Sequence, residues 1–412
     1  MWRSMTAPGL SGARGPRAPS SCAPMTEETP IRPRAPQTRL TQAGRGLAPT
    51  AGLVHPPLER ASTILTPTQA DLYRPDLKTY GRSGLAPHRS LAALMTELEG
   101  GAGAVLAPTG VAAITLALMT YARAGDAVLI TDNVYAPTRK FCDQVLSGLG
   151  VQAHYFDPRD LAALAADWPE KTRLVFAESP GSLTFELTDL PALAGMCRAR
   201  GAKLMIDNTW GAGLALRPLE LGADISIQSL TKYVSGGSDL FGGACVAATV
   251  EDAARLDQTA FWMGLSLSPD ECYALQRSAR SIHARFRASD AAAQILAQRL
   301  AGQRGVRAVL HPGLATSPDH LLWRRDFTGA AGVFGLVLEA PAGPAGAAFC
   351  DRLRLFGNGY SYGGFESLCL WCDPQLGQRK LIPRPDGSVV RLAIGAEDVE
   401  DLWADLVASF QT

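Results

Sequence analysis

From about residue 85 onward, short apolar runs alternate with longer stretches that have helical spacing. Ala104-Val-Leu-Ala107, Ala127-Val-Leu-Ile-Thr131, Arg173-Leu-Val-Phe-Ala177, Lys203-Leu-Met-Ile-Asp207, Asp224-Ile-Ser-Ile227 and Gly243-Ala-Cys-Val-Ala247 each predict a strand. The runs are nearly continuous rather than alternating, which predicts burial on both faces and a mostly parallel α/β sheet between helices. Ligands of such sheets bind beyond the carboxyl ends of the strands. Asp207 lies at one predicted strand end, and Pro108-Thr109-Gly110 lies at another, just before a predicted helix from Val111 to Tyr121. The free backbone N–H groups and positive dipole of a helix start suit a phosphate.

The C-terminal third reads as a smaller α+β domain, with strands at Gly332–Leu338 and Ser388–Ile394. A last helix places Val399, Leu402, Trp403, Leu406 and Phe410 on one face, with Glu397 and Asp398 in its first turn. The expected organisation is a leader at residues 1–24, a Pro-rich extended arm at 25–84, a cofactor-binding domain at 85–278 and the α+β domain at 279–412. The leader carries three arginines and no acidic residue, and Met25-Thr-Glu-Glu offers a later start.

Composition narrows the function. The 412 residues are 47% hydrophobic and 19% charged, with 39 basic residues against 39 acidic, so no global pull toward nucleic acid or membrane exists. No apolar run reaches the roughly 18 residues that would span a bilayer. Eight cysteines scattered without small-scaffold spacing read as free thiols of a cytoplasmic protein. The one close pair, Cys369-Leu-Trp-Cys372, lacks a second pair and reads as two core thiols, with no metal site. Neither a Walker loop nor a Gly-x-Gly-x-x-Gly turn is present, which argues against a nucleotide.

The candidate chemistry lies in Ser226-Ile-Gln-Ser-Leu-Thr-Lys232-Tyr, with Lys232 placed 25 positions after Asp207. A lysine amine can attach to an aldehyde cofactor, and an upstream carboxylate can hold a pyridine nitrogen protonated. Pyridoxal 5'-phosphate requires both. The Ser229 and Thr231 hydroxyls could bind its phosphate. Taken singly, Lys232 reads as a solvated lysine, Asp207 as a turn cap, Tyr80 and Tyr135 as packing aromatics, and Ser229 as a local backbone partner. Arg391, flanked by apolar strand residues, needs an anionic partner if buried. That partner is either a structural carboxylate or the α-carboxylate of an amino-acid substrate.

From about Gly52 to the C-terminus the chain resembles the Cys/Met-metabolism family of pyridoxal-phosphate enzymes. The resemblance is carried by Tyr80-Gly-Arg82, Glu97-Leu-Glu-Gly-Gly-Ala-Gly103, Thr131-Asp-Asn-Val-Tyr135, Glu178-Ser-Pro-Gly181 and Met205 to Trp210. Thr231-Lys232-Tyr233, Arg325-Asp-Phe-Thr-Gly329, Tyr360-Ser-Tyr-Gly-Gly-Phe-Glu-Ser367 and Arg391-Leu-Ala-Ile-Gly395-Ala-Glu-Asp complete it. It implies the aspartate aminotransferase-like fold (fold type I), with a seven-stranded type of sheet and a smaller C-terminal α+β domain.

The resemblance also implies roles. Lys232 would hold the cofactor and then move protons. Asp207 would pair with the pyridine nitrogen, and Tyr135 would stack on the ring and assist proton transfer. The backbone amides of Gly110 and Val111, with Ser229 and Thr231, would bind the phosphate. Tyr80 and Arg82 would reach the cofactor of a neighbouring subunit in a homotetramer built as a dimer of dimers. Ser361 and Arg391 would fix the substrate.

Within the family, the chain is most similar to members that split L-cystathionine by β-elimination into homocysteine, pyruvate and ammonia, a step of methionine biosynthesis. Those members carry tryptophan after the serine matching Ser361, whereas γ-type relatives carry a small aliphatic residue. Here Tyr362 departs from tryptophan but keeps an aromatic wall. Arg277-Ser-Ala-Arg280 also departs from the family's Arg-Gly-Leu. Arg139 or Lys140 could receive the distal end of cystathionine, or both could be solvated. Three readings stay open: a β-lyase for cystathionine or other cysteine conjugates, a γ-type lyase, synthase or sulfhydrylase, and a silent regulatory protein on the same fold.

Overall fold

The computed structural model describes residues 34–45 and 53–410. The expected leader at residues 1–24 lies outside them. All six predicted strands of the larger sheet form, and a seventh joins them. They are β1 (Gly103–Ala107), β2 (Ala127–Thr131), β3 (Gln152–Phe156), β4 (Thr172–Glu178), β5 (Lys203–Asp207), β6 (Ile225–Ser229) and β7 (Gly243–Ala247). Their spatial order is β1-β7-β6-β5-β4-β2-β3. Pairing is parallel from β6 through β5, β4 and β2 to β3, and β7 alone runs against its neighbours. The strand missed in the sequence, β3, sits at the edge. Its residues Gln-Ala-His-Tyr-Phe are half exposed, so no apolar run marks it.

The physical basis of the sheet is burial on both sides. Every residue of β2 and β7 is buried, and Phe176 of β4 is among the largest side chains that are fully enclosed. Enclosing a phenylalanine of this kind contributes roughly 1.5–3 kcal/mol relative to leaving it in water. One core cluster packs helix Gly110–Tyr121 onto this sheet through Ala113, Ile114 and Ala117, while another packs helix Leu190–Ala199 on it through Leu193 and Ala194.

The second sheet comprises β8 (Val306–Leu310), β9 (Val333–Leu338), β10 (Gly357–Asn358), β11 (Leu368–Trp371) and β12 (Val389–Ala393), in the order β10-β11-β12-β9-β8. The predicted strands around 332–338 and 388–394 are its paired β9 and β12, which run antiparallel. Helix Val399–Phe410 buries Leu402 and Leu406 against it, with Val399, Trp403 and Phe410 packed at the margin. The stretch expected to be an extended arm is not extended throughout. Pro36–Gln42 is helical, and its Leu40 is buried in the core beside Leu91 and Leu94.

Candidate active site

The carboxyl ends of β2, β4, β5 and β6 and the start of helix Gly110–Tyr121 converge on a cleft of about 680 Å³ that also takes in residues of the second sheet. Ten of the twelve site residues expected from the sequence line it: Gly110, Val111, Tyr135, Asp207, Ser229, Thr231, Lys232, Ser361, Tyr362 and Arg391. Tyr80 and Arg82 do not. Arg82 instead donates to the Phe261 carbonyl at 2.7 Å and stacks over the Phe261 ring, and Tyr80 is 47% exposed.

The end of the cleft at residue 110 is built for an anion. Thr109 caps the helix by accepting from the Ala112 N–H at 3.0 Å, while the preceding first-turn amides have no acceptor within the helix. A side chain at Gly110 would meet Ser229 at 2.6 Å, so only glycine lets the helix start press against the end of β6. Ser229 and Thr231 stand on the other side of the same space.

Asp207 ends β5 in the middle of the cleft floor. Its Oδ1 accepts the Thr209 N–H at 3.0 Å and the Thr209 hydroxyl at 2.6 Å, which leaves Oδ2 without a partner among the described residues. The next residue anchors this turn: Asn208 donates to Glu99 Oε2 and to the Leu216 carbonyl, both at 3.0 Å. Burial raises the Asp207 carboxyl above its ordinary value, against the opposing Thr209 hydrogen bonds and the Lys232 charge. A buried carboxylate with a free oxygen calls for a cationic partner. A protonated pyridine nitrogen has the charge and the donor to meet that demand, so the residues present fit pyridoxal 5'-phosphate at both its ring and its phosphate end.

Lys232 follows β6 by three residues, and its Nζ donates to Ser361 Oγ at 2.8 Å. Burial and the nearby Arg391 charge lower its pKa to about 8, with Asp207 pulling the other way. The Ser361 backbone adopts a left-handed conformation (φ 100°), uncommon for a residue with a side chain. Its carbonyl accepts from Arg391 Nη2 at 2.9 Å, so this one residue contacts both cations.

Arg391, on β12, is only 9% exposed and pairs with no carboxylate among the described residues. The structural salt bridge considered from the sequence is therefore not made, and the guanidinium faces the cleft. Tyr362 is approached by both cations: Lys232 Nζ is 5.4 Å from its ring centroid and Arg391 Cζ is 5.5 Å from it. Both distances fall in cation–π range.

The two cations after Tyr135 diverge. Arg139 is neither solvated nor in the cleft: it is buried, ion-paired with Asp132 at 2.6 Å and stacked over Tyr155. Lys140 is exposed and does not line the cleft. Cys369 and Cys372 are both buried free thiols, and the closest sulfur to Cys369 is that of Cys350, at 2.8 Å.

Among the cleft residues without a role in the sequence reading are Glu178, Thr209 and Gln375. Glu178 was visible only as part of the Glu-Ser-Pro-Gly motif, although its place at the end of a predicted strand beside that of Asp207 was a usable signal. Thr209 could have been found as a hydroxyl two residues after a candidate aspartate. Gln375, from a short helix near the second sheet, left no mark in the sequence.

A lysine, an aspartate and an anion-binding helix start at the strand ends of an α/β sheet define a class: pyridoxal-phosphate-dependent enzymes of the aspartate aminotransferase-like fold. The family model described as "Cys/Met metabolism PLP-dependent enzyme" matches residues 37–411, and the chain belongs to that family. The chain is 38% identical over 388 residues to the cystathionine beta-lyase of Escherichia coli, covering 90% of this chain and 97% of that protein. It is 32% identical to the L-methionine gamma-lyase of Pseudomonas putida, covering 87% of this chain and 89% of that one. Among solved structures, a cystathionine gamma-lyase from Lactobacillus plantarum complexed with L-serine superposes with a TM-score of 0.84 at 27% identity, covering 92% and 98% of the two chains.

Proposed function

We propose that the protein is a carbon–sulfur lyase that cleaves L-cystathionine by β-elimination, giving homocysteine, pyruvate and ammonia. The observation that carries this reading is the buried, carboxylate-free Arg391, which shares the Tyr362 ring and the Ser361 contact with Lys232. It is supported by similarity to cystathionine beta-lyases over most of the chain. Gamma-lyase relatives also match. The aromatic Tyr362, where those γ-type enzymes are expected to carry a small aliphatic residue, favours the β reaction.

When bound, pyridoxal 5'-phosphate supplies an electron sink that makes the substrate Cα–H acidic. The chain's own groups do the rest. Arg391 takes the α-carboxylate with its planar guanidinium, fixing which substituents of Cα face Lys232. Lys232, with its pKa near 8, has an appreciable free-amine fraction at neutral pH and removes the Cα proton. The Cβ–S bond then breaks, sulfur leaves with the bonding pair, and the Lys232 ammonium or the Tyr135 phenol gives it a proton. Burial, with the Glu178 and Asp207 carboxyls beside it, raises the Tyr135 phenol above its ordinary value, so it stands protonated as a donor. The three-carbon fragment is hydrolysed to pyruvate and ammonia. Ser361 keeps the Lys232 amine near Cα through its 2.8 Å hydrogen bond.

Assembly as a homotetramer, a dimer of dimers, and a cytoplasmic location belong to the same proposal. Tyr80 and Arg82 stand outside this chain's own cleft, and the Tyr80 side chain is exposed, as a role at a neighbour's cleft would require. Leu65, Tyr73 and Trp262 are large apolar side chains left mostly exposed, as an interface would require. No helix among the described residues is long and apolar enough to cross a membrane. The proposal is tested by steady-state kinetics on L-cystathionine, L-cystine and L-methionine. It predicts the highest kcat/KM for L-cystathionine, and a preference for L-methionine would sink it.

A further inference from the structure

Glu178 is an ionisable group of the cleft for which the mechanism above has no use. It ends β4 directly beside Asp207, its register partner on β5. Its Oε2 accepts the backbone N–H of Tyr135 at 2.6 Å, and its own N–H donates to Thr131 Oγ1 at 3.2 Å. Tyr135 begins the short helix Ala136–Lys140, and Pro137 at the start of that helix stiffens the chain just after it. The Tyr135 side chain itself is 40% exposed and makes no hydrogen bond among the described residues, so its pose depends on its backbone.

We propose that Glu178 is a positioning residue: by accepting the Tyr135 N–H it sets the pose of the Tyr135 hydroxyl in the cleft, a task that needs an acceptor oxygen and not a negative charge. The inference rests on the role given to Tyr135 above. Two further observations support a neutral acceptor. Glu178 makes no ion pair among the described residues, its carboxyl accepting a single backbone amide, whereas Asp207 alongside it receives two hydrogen bonds from Thr209. Burial and the adjacent Asp207 also push the Glu178 carboxyl well above the usual range, outweighing the Tyr135 amide and the Arg379 and Arg391 charges. Of two neighbouring carboxyls in a dry site, the one with fewer donors holds the proton. Asp207 thereby keeps its charge for the cofactor.

The test compares holoenzyme variants E178Q and E178L, each alone and combined with Y135F. Displacing a catalytic group by about 1 Å costs on the order of 100-fold in rate. E178L is therefore expected to lower kcat by roughly that factor with little change in KM, and to alter the visible circular dichroism of the bound cofactor. E178Q, which retains an acceptor oxygen, should restore both to within about threefold of wild type. In the Y135F background, where the hydroxyl is gone, E178L should cost no more than about threefold.

A loss in E178Q as large as in E178L would overturn the proposal, since a charge would then be needed. An equal cost of E178L with and without the Tyr135 hydroxyl would also overturn it. If E178L does not fold, the E178Q kinetics and dichroism alone decide, because loss in that folded variant contradicts a neutral acceptor and wild-type behaviour supports it. The assays use the sulfur amino acid that the wild type turns over best. A wrong substrate assignment therefore shows in the wild type, and a wrong role for Glu178 shows only in the variants.

Discussion

Lys232 should behave as an amine with a midpoint near pH 8 in the cofactor-free protein, and its two charged neighbours should move that midpoint in opposite directions. Burial is the largest cause of the depression, because it disfavours the ammonium, and the Arg391 charge adds to it while Asp207 opposes it. At pH 7 an amine with pKa about 8 is roughly one-tenth unprotonated, against about three parts in ten thousand for a lysine at 10.5, a gain on the order of 300-fold. The assay is pulse acetylation across about pH 6 to 11, with peptide mass spectrometry resolving Lys232 from the five other lysines of the chain. Arg391→Leu removes a repelling charge and should raise the midpoint. Asp207→Asn removes an attracting charge and should lower it. Neither should restore ordinary behaviour, because burial remains. A wild-type midpoint at the ordinary value, or a shift of both variants in the same direction, would contradict this balance of burial and charge at Lys232.

Three further outcomes follow from the geometry. Lys232→Ala should abolish pyruvate release while far-ultraviolet circular dichroism stays that of the wild type; near-normal turnover would remove the lysine from the mechanism. Tyr362→Val, which deletes the aromatic wall beside Lys232 and Arg391, should raise the ratio of 2-oxobutyrate to pyruvate by roughly tenfold, as read by chromatography of the keto acids. Asp132→Asn should destabilise the protein by about 3 kcal/mol in urea titrations, since it strands the buried Arg139 and weakens the clamp on the Lys380, Leu381 and Ile382 amides. Burial would raise the Asp132 carboxyl, but those amides and Arg139 outweigh it and hold the group below its ordinary value. Its stabilisation is thus present above the unfolded value of about 3.9 and fades as pH falls through the folded one, so the variant should lose less stability on acidification than the wild type.

The central sheet was legible because a strand buried on both faces must be apolar along its whole length, as β2 and β7 are. The edge strands β3 and β8 and the short β10 and β11 escaped notice because partial exposure dilutes that signal. Residues tied to a strand end or helix start, such as Asp207 and Gly110, could be placed from local sequence alone. The environment of Arg139 could not, because its partners Asp132 and Tyr155 lie at sequence distances set by the fold and a solvated arginine looks the same on paper. Arg391 shows the converse. Its burial was foreseeable from its flanks, but the choice between a structural carboxylate and a substrate required knowing that its contact is the Ser361 carbonyl. The neighbouring thiol of Cys369 proved to be Cys350, nineteen positions away, rather than the nearby Cys372.

β-Elimination by this site is read from the identity of its products. Purified protein supplied with pyridoxal 5'-phosphate and L-cystathionine should release pyruvate and homocysteine in equal amounts, measured together by keto-acid chromatography and thiol analysis. Release of 2-oxobutyrate with cysteine in their place would show γ-elimination and contradict β-elimination.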